Sequence, residues 1–447
     1  MDELSSFLTK LVKHSPTPAI PGNLSPKEAR GVVQEINEFL FTNYKDIGEI
    51  IELGDSYEYF SDFHKYWSNN YKEILDIKID DEQCEEVAKI LHKIYIKSKG
   101  DVFKEVYDAK GLSPEDICKI RFLTANQDFR GSMDFAKLVA YFNDDKSIFD
   151  VTKIYDDPAR FINDIGITDL SQNDKRINYA KNICKFLNEK QITPFEILSF
   201  YNNDLVAVRQ AIIKCLGAGY GDKKTDMFIR DMVVLGVWKQ AKNFDAINVA
   251  SDVNTVKVAL RTGILKTAIP LLSSFMDIFC YQYGYVDTMN AKAWRRVWEK
   301  WRDLYPDDKI DSPCLMDYFI YRVIGKQFCI NSLAIFECAN GHHFKWHSTR
   351  NRTCQECYRK GDKHVLAKLV GRVMPCLDKE GEIAIRETEF VKNNSVFSDM
   401  KNCPFINICC SNNSMMLQPP KSISIKGRTG WETAYARRGA GGGGLMS

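Results

Sequence analysis

The chain has 447 residues, 45% of them hydrophobic, and its formal net charge is +2. This content is enough for two or three ordinary domain cores, and the near-neutral charge excludes a protein that is basic throughout, so any nucleic-acid surface must be local. No stretch approaches the length of a membrane span, and the first residues lack a signal-peptide pattern. We therefore expect a cytoplasmic protein with no membrane partner.

Four regions follow one another along the chain. Residues 1–110 are mostly amphipathic helix, where Ser25 is expected to cap a helix. Residues 111–330 keep helical periodicity, with helix starts at LSPEDI, TDLSQNDKR and ITPFEI. Cysteines, histidines and arginines concentrate in residues 331–420, whereas residues 421–447 end in a glycine-rich tail that we expect to be flexible. The predicted fold class is mainly α, with a small α+β domain towards the C-terminus.

The stretch GAGYGDKKTDMF in the helical region combines a glycine-rich turn with two lysines. Gly217, Gly219 and Gly221 allow a tight reversal of the backbone at little steric cost. The apolar spacing that follows predicts a helix with Lys223 and Lys224 at its N-terminus.

An isolated aspartate, Asp252, stands just before the next helical stretch, VNTVKVAL. The carboxylate of Asp252 and the amine of Lys223 or Lys224 would then approach the same site from the N-termini of two helices. Taken separately, the turn, the lysines and Asp252 are typical of a connection, solvated charges and a helix cap. Their order and spacing together indicate a catalytic site.

These segments resemble, in the same order, motifs of the helix-hairpin-helix DNA glycosylase superfamily, over about residues 112–330. CLGAGYGDKKTDMF is similar to the hairpin L-P-G-V-G-x-K-x-A-D, and VASDVNTVKVALRTGIL is similar to the segment with the catalytic aspartate. FLTANQDF is similar to the segment that opens the fold, and MDYFIYRVIGKQFC to the one that leads into the iron–sulfur loop. The resemblance implies a two-lobed helix-hairpin-helix glycosylase fold.

The resemblance also implies roles for individual residues. Asp252 would stabilise positive charge on the sugar or activate water, and Lys223, or Lys224 after a one-residue slip of register, would act as a nucleophile. Asn126 or Gln127 would fill the gap that a flipped base leaves. The hairpin residues expected to contact DNA are Gly217, Gly219, Tyr220 and Gly221. The hairpin departs from the family pattern in lacking its proline and in carrying the larger Tyr220.

A second motif, CANGHHFKWHSTRNRTCQEC, has the C-x3-H and C-x2-C spacing of a tetrahedral zinc site. It resembles a zinc ribbon or treble clef. The predicted ligands are Cys338, His342, Cys354 and Cys357, with His343 and His347 as alternatives for the nitrogen ligand. Four protein ligands leave no open position, so we expect the zinc to be structural.

Two further features belong to this region. An iron–sulfur cluster on Cys329, Cys403 and Cys409 or Cys410 is the alternative to zinc, because CPFINICC is similar to the end of a cluster loop. Residues 341–374 carry eight Lys or Arg against two acidic residues. From this basic stretch we expect Arg350 and Arg352 to contact DNA phosphates.

The motifs together predict a monomeric DNA glycosylase that flips a modified base out of double-stranded DNA and leaves an abasic site. With its long additional regions, the chain resembles bacterial and phage branches of the superfamily that encounter hypermodified DNA. These branches include antiphage glycosylases that excise glucosylated hydroxymethylcytosine. Three alternatives stay open: a repair glycosylase for oxidised or alkylated bases, a non-catalytic DNA-binding module, and a nucleobase-modifying enzyme of phage hypermodification. The sequence does not decide between hydrolysis and lyase chemistry, although the imperfect register of the hairpin slightly favours a monofunctional enzyme.

Overall fold

The computed structural model describes residues 24–42, 49–51, 69–109, 111–128, 135–167, 173–268, 283–329, 333–346, 352–362, 364–373, 403–409 and 424–426, with residues 6 and 66. This part of the chain is mainly helical, as predicted, with short strands. No helix within it is both long and apolar enough to cross a membrane. Most of the tail predicted over 421–447 lies outside the described residues.

Fourteen α-helices and eight strands are assigned within the described ranges. The helices are α1 (Pro26–Thr42), α2 (Asp81–Ser98), α3 (Pro114–Thr124), α4 (Phe135–Asp144), α5 (Val151–Asp156), α6 (Pro158–Asp164), α7 (Asn173–Lys190), α8 (Ile197–Phe200), α9 (Leu205–Ile213), α10 (Asp222–Val234), α11 (Val253–Thr262), α12 (Tyr283–Leu304), α13 (Met316–Tyr318) and α14 (Gln355–Arg359). A π-helix over Phe319–Phe328 continues α13. The strands are β1 (Glu49–Ile51), β2 (Lys78–Ile79), β3 (Leu265–Lys266), β4 (Leu333–Cys338), β5 (His343–Trp346), β6 (Arg352–Thr353), β7 (Leu366–Val373) and β8 (Ser424–Lys426).

Short polar side chains fix where some helices begin. The Ser25 hydroxyl accepts a hydrogen bond from the Glu28 amide at 3.3 Å, and the Glu28 carboxylate accepts one from the Ser25 amide at 2.8 Å. This reciprocal capping box satisfies two donors that the first turn of α1 leaves unpaired. The cap predicted at Ser25 is therefore confirmed, and Ser113 caps α3 through the Asp116 amide at 3.1 Å.

The chain divides into two compact units, each built from separate stretches. The first, here the helical unit, comprises Leu91–Asp252 and Trp294–Phe319. The second, here the sheet unit, comprises Met1–Ile90, Val253–Ala293 and Ile320–Ser447. The helical region predicted over 111–330 is thus shared between them. The glycine turn and Asp252 both belong to the helical unit, and α11 begins the next stretch of the sheet unit.

An aromatic core holds the glycine turn of the helical unit in place. Phe122 of α3 stacks on Tyr220 with ring centroids 5.6 Å apart, and it packs against Phe228 of α10 at 5.2 Å. All three side chains are buried. Because each large apolar side chain contributes about 1.5–3 kcal/mol when buried, this cluster fixes α3, the turn and α10 against one another.

The sheet unit contains a four-stranded antiparallel sheet in the order β5-β4-β7-β6. Side chains alternate along its strands, as the pleat requires. Phe336, Cys338 and Ala367 form a small buried cluster together with Cys354 and Cys357. The sheet therefore brings cysteines from separate parts of the sequence into one interior.

Candidate functional site

The glycine turn connects α9 to α10, as predicted. Gly217 and Gly219 have φ values of 72° and 75°, in the left-handed region that glycine adopts without strain. A Cβ atom at Gly219 would also overlap the ring of Tyr179, so the turn lies directly against α7. Gly221 is the N-cap of α10, and it has no side chain that could occupy the first amides of the helix.

Arg209 of α9 joins the two helices that flank the turn. Its Nε lies 2.5 Å from Oδ1 of the buried Asp226, and its Nη2 lies 2.5 Å from Oδ1 of Asp222. Burial raises the pKa of Asp226 to about 6, although the Arg209 guanidinium acts in the opposite direction. The first turn of α10 is therefore held at a fixed distance from α9.

Lys223 and Asp252 meet beside the turn. Nζ of Lys223 lies 3.8 Å from Oδ2 of Asp252, which is an ion-pair distance beyond the reach of a hydrogen bond. The Lys223 side chain is 50% exposed, whereas that of Asp252 is 11% exposed. The structure thus brings together the amine in direct register with the hairpin motif and the predicted catalytic carboxylate.

Lys224 takes a different direction from its neighbour. Its amine donates a hydrogen bond to the main-chain oxygen of Asn126 at 2.7 Å and lies 5.8 Å from the ring centroid of Tyr179. Burial lowers the pKa of Lys224 to about 7. The Asp128 carboxylate opposes this effect, whereas the nearby positive charges, of which Lys223 is the largest contributor, add to it. Lys224 therefore anchors α10 to the segment after α3.

The prediction that Asn126 or Gln127 enters the DNA is wrong. Both side chains are fully buried, and a residue that fills a gap in the duplex must reach solvent. Nδ2 of Asn126 donates to the main-chain oxygens of Ala218 at 3.0 Å and Tyr179 at 3.3 Å. Nε2 of Gln127 donates to the main chain of Arg176 at 3.2 Å. These amides join the turn to α7.

Tyr220, a hairpin residue that was predicted to contact DNA, has its side chain in the core. Its side chain is 5% exposed, and its hydroxyl donates to the main-chain oxygen of Phe122 at 2.6 Å. Burial raises the pKa of this phenol well above its usual range. The larger residue in the middle of the hairpin thus belongs to the core, where the family pattern has a smaller apolar side chain.

A network of buried ion pairs that was not predicted joins Arg121, Asp231, Arg230 and Asp317. Nε of Arg121 lies 2.9 Å from Oδ2 of Asp231, whose Oδ1 accepts from Nη2 of Arg230 at 2.5 Å. Arg230 also pairs with Asp317 through Nη1. The sequence feature that could have indicated this network is the presence of charged residues among apolar ones in ICKIRFLT and FIRDMVV. Such charges are rarely buried unless they are paired.

The four predicted metal ligands form one cluster. The ligand atoms of Cys338, His342, Cys354 and Cys357 all lie within 4.8 Å of one another. Sγ of Cys338 is 3.8 Å from Sγ of Cys357, and Nδ1 of His342 is 3.3 Å from Sγ of Cys357. Zn–S bonds of about 2.3 Å in a tetrahedron would place two sulfurs about 3.8 Å apart. The cluster can therefore hold a metal ion of the size of zinc.

The alternative ligands lie elsewhere. His343 is exposed and pairs with Glu337 at 3.5 Å, while His347 lies outside the described residues. Among the described residues, Cys329, Cys403 and Cys409 belong to no group of three metal ligands. Cys329 instead accepts a hydrogen bond from Arg261 at 3.0 Å. Cys410 lies outside the described residues.

The side chains of the two arginines predicted to bind DNA lie outside the described part of the chain. Arg350 lies outside the described residues, and Arg352 lies in β6 with its side chain undescribed. Arg359, Lys360 and Lys368 of the same basic stretch are exposed.

No protein-family model matches the chain, and the curated proteins give no match. The function must therefore be argued from the residues and their geometry.

Proposed function

We propose that this protein is a DNA glycosylase that cleaves the N-glycosidic bond of a flipped, modified base and leaves an abasic site. The observation that carries the proposal is the approach of Lys223 to Asp252, at 3.8 Å, beside a glycine turn at the N-terminus of α10. The order of these features along the chain is that of the superfamily the sequence resembles. The division of the chain into two compact units is compatible with a two-lobed fold.

Asp252 supplies the central chemistry in this proposal. Breaking the bond between base and deoxyribose develops positive charge on the sugar, and a nearby carboxylate stabilises that charge or accepts a proton from the attacking water. Asp252 is mostly shielded from solvent, which strengthens its electrostatic effect. The amine of Lys223, whose side chain is half exposed, lies 3.8 Å from Oδ2 of Asp252.

Hydrolysis by water is the form of the reaction that the lysines favour. A lysine nucleophile must be unprotonated and must reach C1′ of the sugar. Lys223 is in position but pairs with a carboxylate, whereas Lys224 has the lowered pKa but directs its amine to Asn126. The two requirements fall on different residues. We therefore assign a monofunctional glycosylase.

Two elements would hold the DNA. Gly217 and Gly221 are exposed, and the first amides of α10 can bind a phosphate without reading sequence. The exposed Arg359, Lys360 and Lys368 offer further phosphate contacts near the metal cluster. Zinc at Cys338, His342, Cys354 and Cys357 would have a structural role, because four protein ligands complete a tetrahedron.

The substrate we propose is glucosylated hydroxymethylcytosine in phage DNA, so that excision acts as antiviral defence. The chain carries long regions besides the stretch that resembles glycosylases, and we infer that they serve recognition of a bulky base, since the selectivity of base-flipping enzymes follows pocket shape. Host DNA without the modification would be spared.

The test uses purified protein and three DNAs. Phage DNA with glucosylated cytosine should accumulate alkali-labile sites, whereas isogenic unmodified DNA should stay intact. A third DNA carries 8-oxoguanine and alkylated purines. Cleavage of this DNA alone would assign a repair enzyme, and binding to all three DNAs without alkali-labile sites would assign a non-catalytic module.

A further inference from the structure

The turn between β4 and β5 directs an amide side chain at the metal cluster. Nδ2 of Asn340 donates a hydrogen bond to Sγ of Cys357 at 3.3 Å. The two residues are 17 positions apart, so this bond joins the C-x3-H half of the cluster to its C-x2-C half. The zinc motif counts only Cys and His, and Asn340 was therefore not among the residues predicted to serve the metal.

The main chain of this turn fixes the position of Asn340. The Gly341 amide donates to the main-chain oxygen of Cys338 at 2.9 Å, which closes a tight turn around Ala339 and Asn340. Gly341 has a φ of 74°, and the Cys338 amide donates to the main-chain oxygen of His342 at 3.1 Å. The turn itself would accept Asn, Asp or Gly. The contact with sulfur is what distinguishes asparagine from the other two.

The charge of the cluster makes a hydrogen-bond donor useful there. Three thiolates and a neutral imidazole around a divalent ion leave one negative charge in excess. Cys338, Cys354 and Cys357 are buried, and a buried charge costs free energy unless polar groups compensate it. An N–H group bonds more strongly to an ionised acceptor than to a neutral one. Asn340 supplies such a donor to one of the three sulfurs.

We propose that Asn340 positions the Cys357 thiolate for the metal and strengthens metal retention by compensating part of the excess negative charge. Asn340 acts through the sulfur and does not bind the ion itself. Hydrogen-bond partners of metal ligands orient those ligands, and their loss typically costs about 10–100-fold in metal affinity. The inference goes beyond the proposed glycosylase and rests only on the ability of the cluster to hold a metal ion.

Competition for zinc between the full chain and a chelator tests this role. Asn340→Asp replaces the donor by an acceptor, and Asn340→Gly removes the side chain. Both new residues suit the turn, so the variants should fold. Each should bind zinc at least about tenfold more weakly than the wild type. The matched control is Ala339→Asp, which adds a carboxylate at the neighbouring exposed position and keeps the donor, so its affinity should stay within about threefold of the wild type.

Cobalt(II) in place of zinc gives a readout that a purely structural role in the turn would not change. A hydrogen bond lowers the energy of the sulfur lone pairs, so its loss in Asn340→Gly should shift the sulfur-to-cobalt charge-transfer band to longer wavelength. Wild-type zinc affinity in both Asn340 variants, an unshifted band, or an equal loss of affinity in Ala339→Asp would overturn the proposal. Neither measurement uses DNA, so a wild type that binds zinc but excises no base would contradict only the proposed function.

Discussion

The amine of Lys224 donates a hydrogen bond to the main-chain oxygen of Asn126, 2.7 Å away, while the amine of the adjacent Lys223 lies 3.8 Å from Asp252. Successive residues of a helix point about 100° apart, so the side chains of Lys223 and Lys224 reach different partners from the same turn of α10. Lys224 ties α10 to the segment after α3, and Lys223 faces the candidate catalytic carboxylate. The two lysines should therefore respond differently to mutation.

The free energy of unfolding should depend on pH through Lys224. Burial lowers its pKa in the folded protein from 10.5 to about 7, so between these values the unfolded chain binds more protons at this amine. The contribution of Lys224 to the free energy of unfolding must then rise as pH increases through this window. Lys224→Met should show a smaller gain in urea midpoint between pH 7 and pH 9 than the wild type.

Lys223→Met is the matched control for this measurement, because its side chain is half exposed and precedes Lys224 directly. It should keep most of the pH-dependent gain of the wild type, because burial is the largest cause of the lowered pKa of Lys224 and the Lys223 charge is a smaller one. Equal gains in the wild type and in Lys224→Met would show that Lys224 is solvated in the folded protein.

Borohydride should trap no covalent adduct between this protein and the proposed DNA substrate. The Lys223 amine is paired with a carboxylate, and the Lys224 amine is directed to Asn126, so neither lysine meets both requirements of a Schiff-base nucleophile. The product strand should stay unbroken until alkali is added. An adduct that disappears in Lys223→Gln but persists in Lys224→Gln would identify Lys223 as a nucleophile and make the enzyme bifunctional.

Asn126→Ala should lower stability rather than only DNA affinity. The side chain is fully buried and bonds the main chain of Ala218 and of Tyr179, so its loss leaves two carbonyl groups without these partners. Each such loss costs about 1–3 kcal/mol. Urea unfolding should show the decrease in the absence of DNA, and unchanged stability with weaker DNA binding would restore Asn126 as a surface residue.

Zinc should be present at about one atom per chain in the purified protein. Cys354→Ser should lose the metal and unfold the small sheet at a lower temperature, because metal binding and folding are coupled in such sites. Cys329→Ser, outside the cluster, should retain the metal. Iron with visible absorbance, lost in Cys329→Ser, would instead indicate an iron–sulfur cluster.

The local parts of this structure followed from the sequence better than the buried polar parts. Glycine spacing predicted the turn, and Cys and His spacing predicted the metal cluster, because each pattern is confined to a few residues. The burial of the Tyr220 side chain was not predicted, because it depends on Phe122, about a hundred residues earlier in the chain. The pairing of Arg230 with Asp317 likewise joins distant segments, which local patterns do not encode.

The most direct test of the account is Asp252→Asn, assayed in single turnover on DNA with glucosylated hydroxymethylcytosine. The change removes the charge that would stabilise the sugar cation, so excision should fall at least about 100-fold. DNA binding should stay within about threefold, because phosphate contacts by the turn remain. Asp245→Asn, an exposed aspartate of the same helical unit, should keep full activity. Excision at the wild-type rate in Asp252→Asn would contradict the assignment of this site.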